Sequence, residues 1–187
     1  MNTESSQNKH LKSVFEVILP DLEKAKIDYF VYGGVGVAAY AGSFIRENND
    51  VDIFVRDADF ENAKSLLDAL CKRNGLQYIP GSQNEDDRPK AEVKINGVER
   101  FSMIPIYQKD SVVVFKYEDG DEVYSSQILE KVLRNISGFR FFTPRDEFIK
   151  NMFINHISAR PDKKERDKIK IDARAILNPE ELSSFGF

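Results

Sequence analysis

Two aspartates separated by one valine, Asp50-Val-Asp52, open a stretch of strict alternation. From Asp50 to Val55, Asp50, Asp52 and Phe54 fall on one face and Val51, Ile53 and Val55 on the other, as a strand requires. Carboxylates at i and i+2 of a strand project from the same side, close enough to share divalent cations. Mg²⁺ prefers a few carboxylates with water and substrate phosphate oxygens, and a pair of such ions can activate an attacking oxygen and neutralise a leaving pyrophosphate. Upstream, Gly33-Gly34 close a short β-branched and aromatic strand, Tyr29–Tyr32, and an Ala/Val-rich helix pattern follows over 35–42. Glycines at a strand end let backbone N–H groups approach a triphosphate, helped by the N-terminus of the next helix. The glycine turn and the carboxylate strand then read as two halves of one site.

A rival reading uses the same stretch. Gly34-Val-Gly36-Val-Ala-Ala39 fits the G-x-G-x-x-A turn of a dinucleotide-binding fold. That fold requires an acidic residue at the C-terminal end of its second strand. Asp50 and Asp52 instead lie at the start of theirs, and Gly42-Ser43 cuts the helix short, so the cation reading is preferred.

The elements that must position these groups can be read from periodicity. Leu11, Val14, Phe15, Ile18, Leu19 and Leu22 form a helical stripe over 10–27, divided at Pro20. After the aspartate strand, Asp57 or Asp59 is expected to cap a helix to about Arg73, with Leu66, Leu67 and Leu70 inward. Asn96-Gly97 between two apolar runs predicts a hairpin. Further strands are expected over 111–117 and 122–124, a short helix over 127–133, and a brief strand over 139–142. Thr143-Pro144 is expected to open a helix to about Ala159, followed by a charged helix over 163–177 and a frayed tail. The fold class is α+β: a mixed twisted sheet flanked by helices, with a core over 1–142 and a C-terminal helical segment, 143–187, packed on it.

The 187 residues suit one domain, and 41% hydrophobic content with fourteen Phe and seven Tyr can fill a core. There is no apolar run long enough for a membrane span and no secretory h-region. The one cysteine, Cys71, excludes an internal disulfide, and two distant histidines offer no zinc spacing. A cytoplasmic location is expected. The net charge of −4 argues against a polyanion coat. Between Arg140 and Arg174, however, ten Lys/Arg face six Asp/Glu, a local surface that could attract phosphates or simply be a solvated helix face.

Phe30-Val-Tyr-Gly33-Gly34 followed by Arg46-Glu-Asn-Asn-Asp50-Val-Asp52-Ile-Phe resembles the signature of the DNA polymerase beta-like nucleotidyltransferase superfamily. Arg46, with Asn48 in a threonine place, is similar to the Arg-x-Thr-x-Asp-x-Asp form of lincosamide-type antibiotic nucleotidyltransferases and abortive-infection nucleotidyltransferase toxins. The Asn96-Gly97-Val98-Glu99 hairpin and a C-terminal helix with Lys150, Arg160 and Asp167 resemble them too. The resemblance implies transfer of a nucleoside monophosphate from an NTP to an acceptor hydroxyl, with pyrophosphate released. It implies Mg²⁺ or Mn²⁺ at Asp50 and Asp52, the triphosphate at Gly33 and Gly34, and nucleotide support from Arg46, Asn48 and Lys150. The acceptor could be a small molecule, a tRNA end or a protein side chain; no membrane partner is expected, and the oligomeric state is open.

One departure stands out. The family's third carboxylate follows the Asn-Gly hairpin, in a pattern like Gly-Val-Glu-Val-Asp-Leu-Leu-Pro. Here the strand reads Gly97-Val-Glu-Arg-Phe-Ser-Met-Ile-Pro105. Counting from Gly97 puts Phe101 at that place; counting back from Pro105 puts Ser102 there. Glu99 is the nearest carboxylate and the candidate base, with Glu92 in reserve. The alternative is a weakened or inactive nucleotide-binding or interaction module. Arg46 could also simply pair with Asp50 or Asp52, Asn48 could shape a turn, and Lys150 could be solvated. His156 could touch nucleotide, Tyr107 and Tyr117 could stack on a base, and His10 is expected at the surface.

Overall fold

The computed structural model describes residues 8–81, 89–117, 120–162 and 166–187. The chain enters through a 3₁₀ turn, Lys9–Leu11, and a π-wound turn, Val14–Ile18, that runs into α1 (Leu19–Lys24). Pro20 sits in the first turn of α1, just after the π-wound turn. All six residues of the expected stripe, Leu11 through Leu22, are buried. Then follow β1 (Tyr29–Tyr32), α2 (Gly33–Ala41), β2 (Val51–Arg56) and α3 (Asp57–Asn74). Strands β3 (Gln77–Ile79), β4 (Ala91–Ile95), β5 (Val98–Lys109), β6 (Val112–Tyr117) and β7 (Gly120–Ser125) complete the main sheet.

The seven-stranded sheet has the order β1-β2-β5-β4-β3, and the far half of β5 pairs with β6, which pairs with β7. Among the described residues only β2 and β5 run parallel, and the other pairs of this sheet are antiparallel. The sheet is mixed, as expected for α+β. The β4–β5 hairpin turns at Asn96 (φ 54°) and Gly97 (φ 76°), two successive positive φ angles that Asn-Gly tolerates.

Alternation in β1 and β2 sorts their side chains between two cores. Tyr29, Val31, Val51, Ile53 and Val55 join the residues of α1 and α3. Phe30 and Phe54 face the other way, into a cluster with Ile106, Val113, Phe115 and Phe148. Phe148 belongs to α4 (Asp146–Ala159), so α4 covers the same sheet face that carries Asp52. Farther along, Ile149, Phe153 and Ile157 of α4 pack with Val37 of α2 and with Ile169, Ala173 and Ile176 of α5 (Asp167–Ile176). Burial pushes the Cys71 thiol up to about 11, so it stays protonated and acts as a small apolar core residue.

Four local expectations are corrected. The helix expected over 127–133 is a 3₁₀ turn, Ser126–Leu129, followed by β8 (Val132–Ile136). β8 pairs with β9 (Phe139–Thr143) across a Ser137-Gly138 turn. Thr143 ends β9 rather than capping α4; the helix begins after Arg145. The tail forms α6 (Pro179–Phe185), closed by a reciprocal capping box between Asn178 and Glu181. Finally, α3 starts without an aspartate cap, because Arg56 holds the cap position and Asp57 is already helical.

Candidate active site

Strand register fixes the row on which the chemistry lies. Tyr32 of β1 stands opposite Asp52 of β2, Asp52 opposite Ser102 of β5, and Ser102 opposite Glu92 of β4. Cross-strand partners point to the same face, so Ser102, not Phe101, occupies the place of the third acid. The Ser102 hydroxyl donates to Asp52 Oδ1 at 2.6 Å. Phe101 points to the opposite face and is fully buried in the core with α3.

Glu99 reaches this face by a bulge. Val93 pairs with Phe101, but Lys94 pairs with Glu99, leaving Arg100 as an extra residue in β5. Strict alternation would have put Glu99 opposite to Ser102; the extra residue returns it to the same side. Both glutamates are then gathered by one amine: Lys90 Nζ lies 2.5 Å from Glu92 Oε1 and 3.1 Å from Glu99 Oε1. Arg100 Nη1 donates to the carbonyl of Asn49, at 2.8 Å, just ahead of Asp50.

The glycine pair closes on these groups from the other side. Gly33 has φ 62°, and a Cβ there would lie 2.5 Å from Asp52 Oδ2. A Cβ on Gly34 would lie 2.4 Å from Asn48 Oδ1 and 2.5 Å from Arg46 Nη2. Only glycine lets the backbone at the start of α2 come this near to the carboxylate and the guanidinium. Burial, then the charge of Asp50, pushes the Asp52 carboxyl up to about 6, against the pull of the Ser102 hydroxyl and the Lys90 charge. Among the described residues Asp50 makes no hydrogen bond or ion pair, and no group of three or more His, Cys, Asp or Glu is arranged to hold a metal ion.

Arg46 pairs with neither Asp50 nor Asp52. Its Nε and Nη2 both donate to Asp172 of α5, at 2.7 Å each, and its Nη1 donates to Asn48 Oδ1 at 2.9 Å. Asn48 is 2% exposed and shapes the loop, with its backbone N–H donating to Asn8 Oδ1 at 2.7 Å. His10 does not stand free at the surface: its Nε2 lies 2.6 Å from the Asn48 carbonyl, an acceptor, so Nε2 carries the proton. Lys150 is tied to Glu181 of α6 at 2.7 Å and does not line the cleft beside Asp52, so its placement gives no support to a nucleotide role. The Tyr107 ring lies under Lys116, away from the cleft, and the side chain of Tyr117 lies outside the described residues.

The cleft itself, about 680 Å³, runs from Tyr32, Gly33, Gly34 and Asp52 to α4 and α5. His156, Arg160, Arg166 and Lys168 line one part of it, and Asp121, Glu122 and Asn155 another. Asp172 was missed by sequence reading because a lone aspartate in a charged helix gives no sign that it meets an arginine 126 residues away. Asn8 and Lys90 were missed for the same reason, having partners only in the fold.

Comparisons with known proteins bear on the fold. A sequence family described as aminoglycoside-2''-adenylyltransferase matches residues 14–96. Among solved structures, the chain is similar to lincosamide antibiotic adenylyltransferase LnuA bound to lincomycin, with 16% identity and TM-score 0.61, covering 91% of this chain and 96% of that one. It is similar to ANT(2'')-Ia in complex with adenylyl-2''-tobramycin, with 14% identity, TM-score 0.58 and 95% coverage of both chains. An antigenic nucleotidyltransferase-like protein from Paracoccidioides brasiliensis matches at 20% identity and TM-score 0.52, covering 91% of this chain and 75% of that one. A comparison with curated protein sequences finds no match. The chain has the nucleotidyltransferase fold. No helix among the described residues is long and apolar enough to cross a membrane.

Proposed function

We propose that the protein is a nucleotidyltransferase that moves a nucleoside monophosphate from an NTP to an acceptor hydroxyl. The observation that carries this reading is the close approach of Gly33 to Asp52, the first residue of a helix and a carboxylate that line one cleft. The donor set suits a divalent cation. Asp50 and Asp52 are adjacent carboxylates whose repulsion already raises one of them, and substrate phosphates and water would complete the shell. Asp50 and Asp52 would hold Mg²⁺ or Mn²⁺, which supplies positive charge to the phosphoryl oxygens when bound.

The chain's own groups do the rest. The first N–H groups of α2, at Gly33 and Gly34, have no helical acceptor and are placed to bind phosphate oxygens. Arg46, held by Asp172 and Asn48, keeps its guanidinium against Gly34 and adds charge there. Arg166 and Lys168 line the α5 side of the cleft. The acceptor oxygen attacks the α-phosphorus; its bond to phosphorus forms as the bond to the pyrophosphate oxygen breaks, and that oxygen keeps the electron pair. The hydroxyl proton passes to a carboxylate, for which Glu99 is the candidate because the bulge turns it to the face of Ser102 and Asp52. Asp121, Glu122 and Asn155 line the remaining wall. These groups favour a small acceptor bearing hydroxyls and amines, in keeping with the lincomycin and tobramycin of the similar structures, over a tRNA end or a protein side chain. A cytoplasmic site of action fits such an acceptor.

Ser102 in the third acid's place favours a second reading, a nucleotide-binding module with little or no transfer activity. One experiment separates them: labelled NTPs with Mg²⁺, a panel of amino-sugar and lincosamide acceptors and a tRNA pool, with Asp50→Ala and Asp52→Ala as controls. Transfer lost in both variants supports the enzyme. Metal-dependent NTP binding without transfer supports the module, and absence of both defeats the two together.

A further inference from the structure

Lys90 itself takes no part in moving the proton or the nucleotide. Lys90 enters at the start of β4 and its ammonium bridges Glu92 and Glu99, the two glutamates that flank Ser102 on the site's face. Glu92 stands directly across from Ser102, and the bulge at Arg100 turns Glu99 to the same side. Two-ion sites for in-line displacement place one cation at the attacking oxygen and one at the leaving group. With Ser102 in the row, the ion on the attacking side would lose an anionic ligand, while Asp50 and Asp52 still suffice for the other. An ammonium has three donors, and among the described residues Glu92 and Glu99 are the two partners of Lys90.

We propose that the Lys90 ammonium, held between Glu92 and Glu99 beside Ser102, stands in for the cation on the attacking side, so that the site takes a single divalent ion. Glu92, which the ammonium holds, stands across from Ser102, whose hydroxyl donates to Asp52. Glu92 and Glu99 fix the ammonium in position, which a solvated lysine would lack. Among the described residues no trio of metal-ligating side chains surrounds the site, in keeping with one ion held by two carboxylates and the nucleotide.

This inference rests on the nucleotidyltransferase reading, and counting bound ions separates the two. Mn²⁺ is titrated into the full chain with a non-hydrolysable ATP analogue, and free Mn²⁺ is followed by electron paramagnetic resonance. One ion per chain is expected. Ser102→Asp with Lys90→Met restores the acid, removes the ammonium and should bind two. Two ions in the unaltered chain, or one in the folded double variant, overturns the proposal while leaving the transferase reading intact. If the double variant does not fold, Lys90→Met alone decides: a second, weaker Mn²⁺ is expected, and a count fixed at one overturns the proposal. No Mn²⁺ bound with nucleotide defeats the transferase reading and the inference with it.

Discussion

At Asp52 the fold works against its own carboxylate, and the sign of that conflict is measurable. The carboxyl is displaced from an ordinary 3.8 up to about 6, by burial first and by Asp50 second. A raised value means the fold favours the protonated form. That contribution to stability is fully present below pH of about 4 and lost as pH rises through about 6. Urea unfolding in EDTA should therefore show stability falling across that window, and Asp52→Asn should remove this component; equal slopes in both proteins would contradict the assignment. Cation binding needs the ionised form, so Mn²⁺ affinity should weaken below pH of about 6. The glycine pair makes a different kind of prediction. An alanine at position 34 puts its methyl against Arg46 and Asn48, and one at position 33 meets Asp52 while also holding a positive φ. Gly33→Ala should cost about 1–2 kcal/mol in stability from backbone strain alone. Gly34→Ala should fold and yet lose at least about tenfold in nucleotide affinity, near 1.4 kcal/mol, by isothermal titration. The paired aspartates and glycines were legible in the sequence because each lies beside its own turn and strand. The identity of the residue across from Asp52 was not, since a parallel pairing fifty residues away leaves no local mark.

The element that decides the third acid is the β4–β5 hairpin. Its Asn-Gly turn could be read directly, but the bulge at Arg100 could not, and one extra residue decides which side of the sheet Glu99 serves. If Glu99 accepts the hydroxyl proton, Glu99→Gln should lower kcat about 10²-fold or more with nucleotide affinity little changed, and Glu92→Gln should cost far less. The reverse ranking would move the base to β4. The second deciding element is α4. Phe148 is fully buried, its ring 5.7 Å from that of Phe54 and 5.3 Å from that of Phe115. Phe148→Ala should cost about 3–5 kcal/mol, read by denaturant unfolding, because α4 loses its anchor on the sheet. The start of α4 was expected at Thr143-Pro144 and lies at Asp146, whereas Val132 and Leu133, the first residues of β8, were expected to end a short helix. Val-Leu-Arg-Asn-Ile over 132–136 does not alternate between apolar and polar residues, and Gln127–Leu133 offers enough helix-forming side chains to hide the strand. Neither period dominates in so short a window.

Seen as a whole, the molecule ties both ends of its chain to one loop. The segment 43–50, which leads into Asp50, is gripped by the N-terminal Asn8 and His10, by Arg100 of the bulge, and by Asp172 of α5 through Arg46. None of these partners is near it in sequence, so no pattern could announce them; the loop read as polar residues between two better-defined elements. The physical need is plain, however. A loop that must present a carboxylate at fixed distance from a glycine turn carries backbone polar groups that have to be satisfied, and remote side chains do this where no strand can. Arg46 and Asp172 have side chains only 14% and 4% exposed, so removing either leaves a buried charge without its counter-ion. Burial raises the Asp172 carboxyl above its ordinary value, even though Arg46 pulls it down, which shows how much the pair depends on contact. Asp172→Ala should destabilise the chain by about 3–5 kcal/mol. It should also release Arg46 and the loop, so nucleotide affinity should fall although residue 172 is not among the phosphate-binding groups proposed above. Asn8→Ala breaks two bonds to the same loop without touching any charge, and should cost about 1–2 kcal/mol while again weakening nucleotide binding. The double variant separates mechanism from coincidence. If both ends act by holding the loop, their effects on nucleotide affinity should combine to less than the sum, because a loop already released has little more to lose. Full additivity in binding would mean that the two ends act independently of the loop.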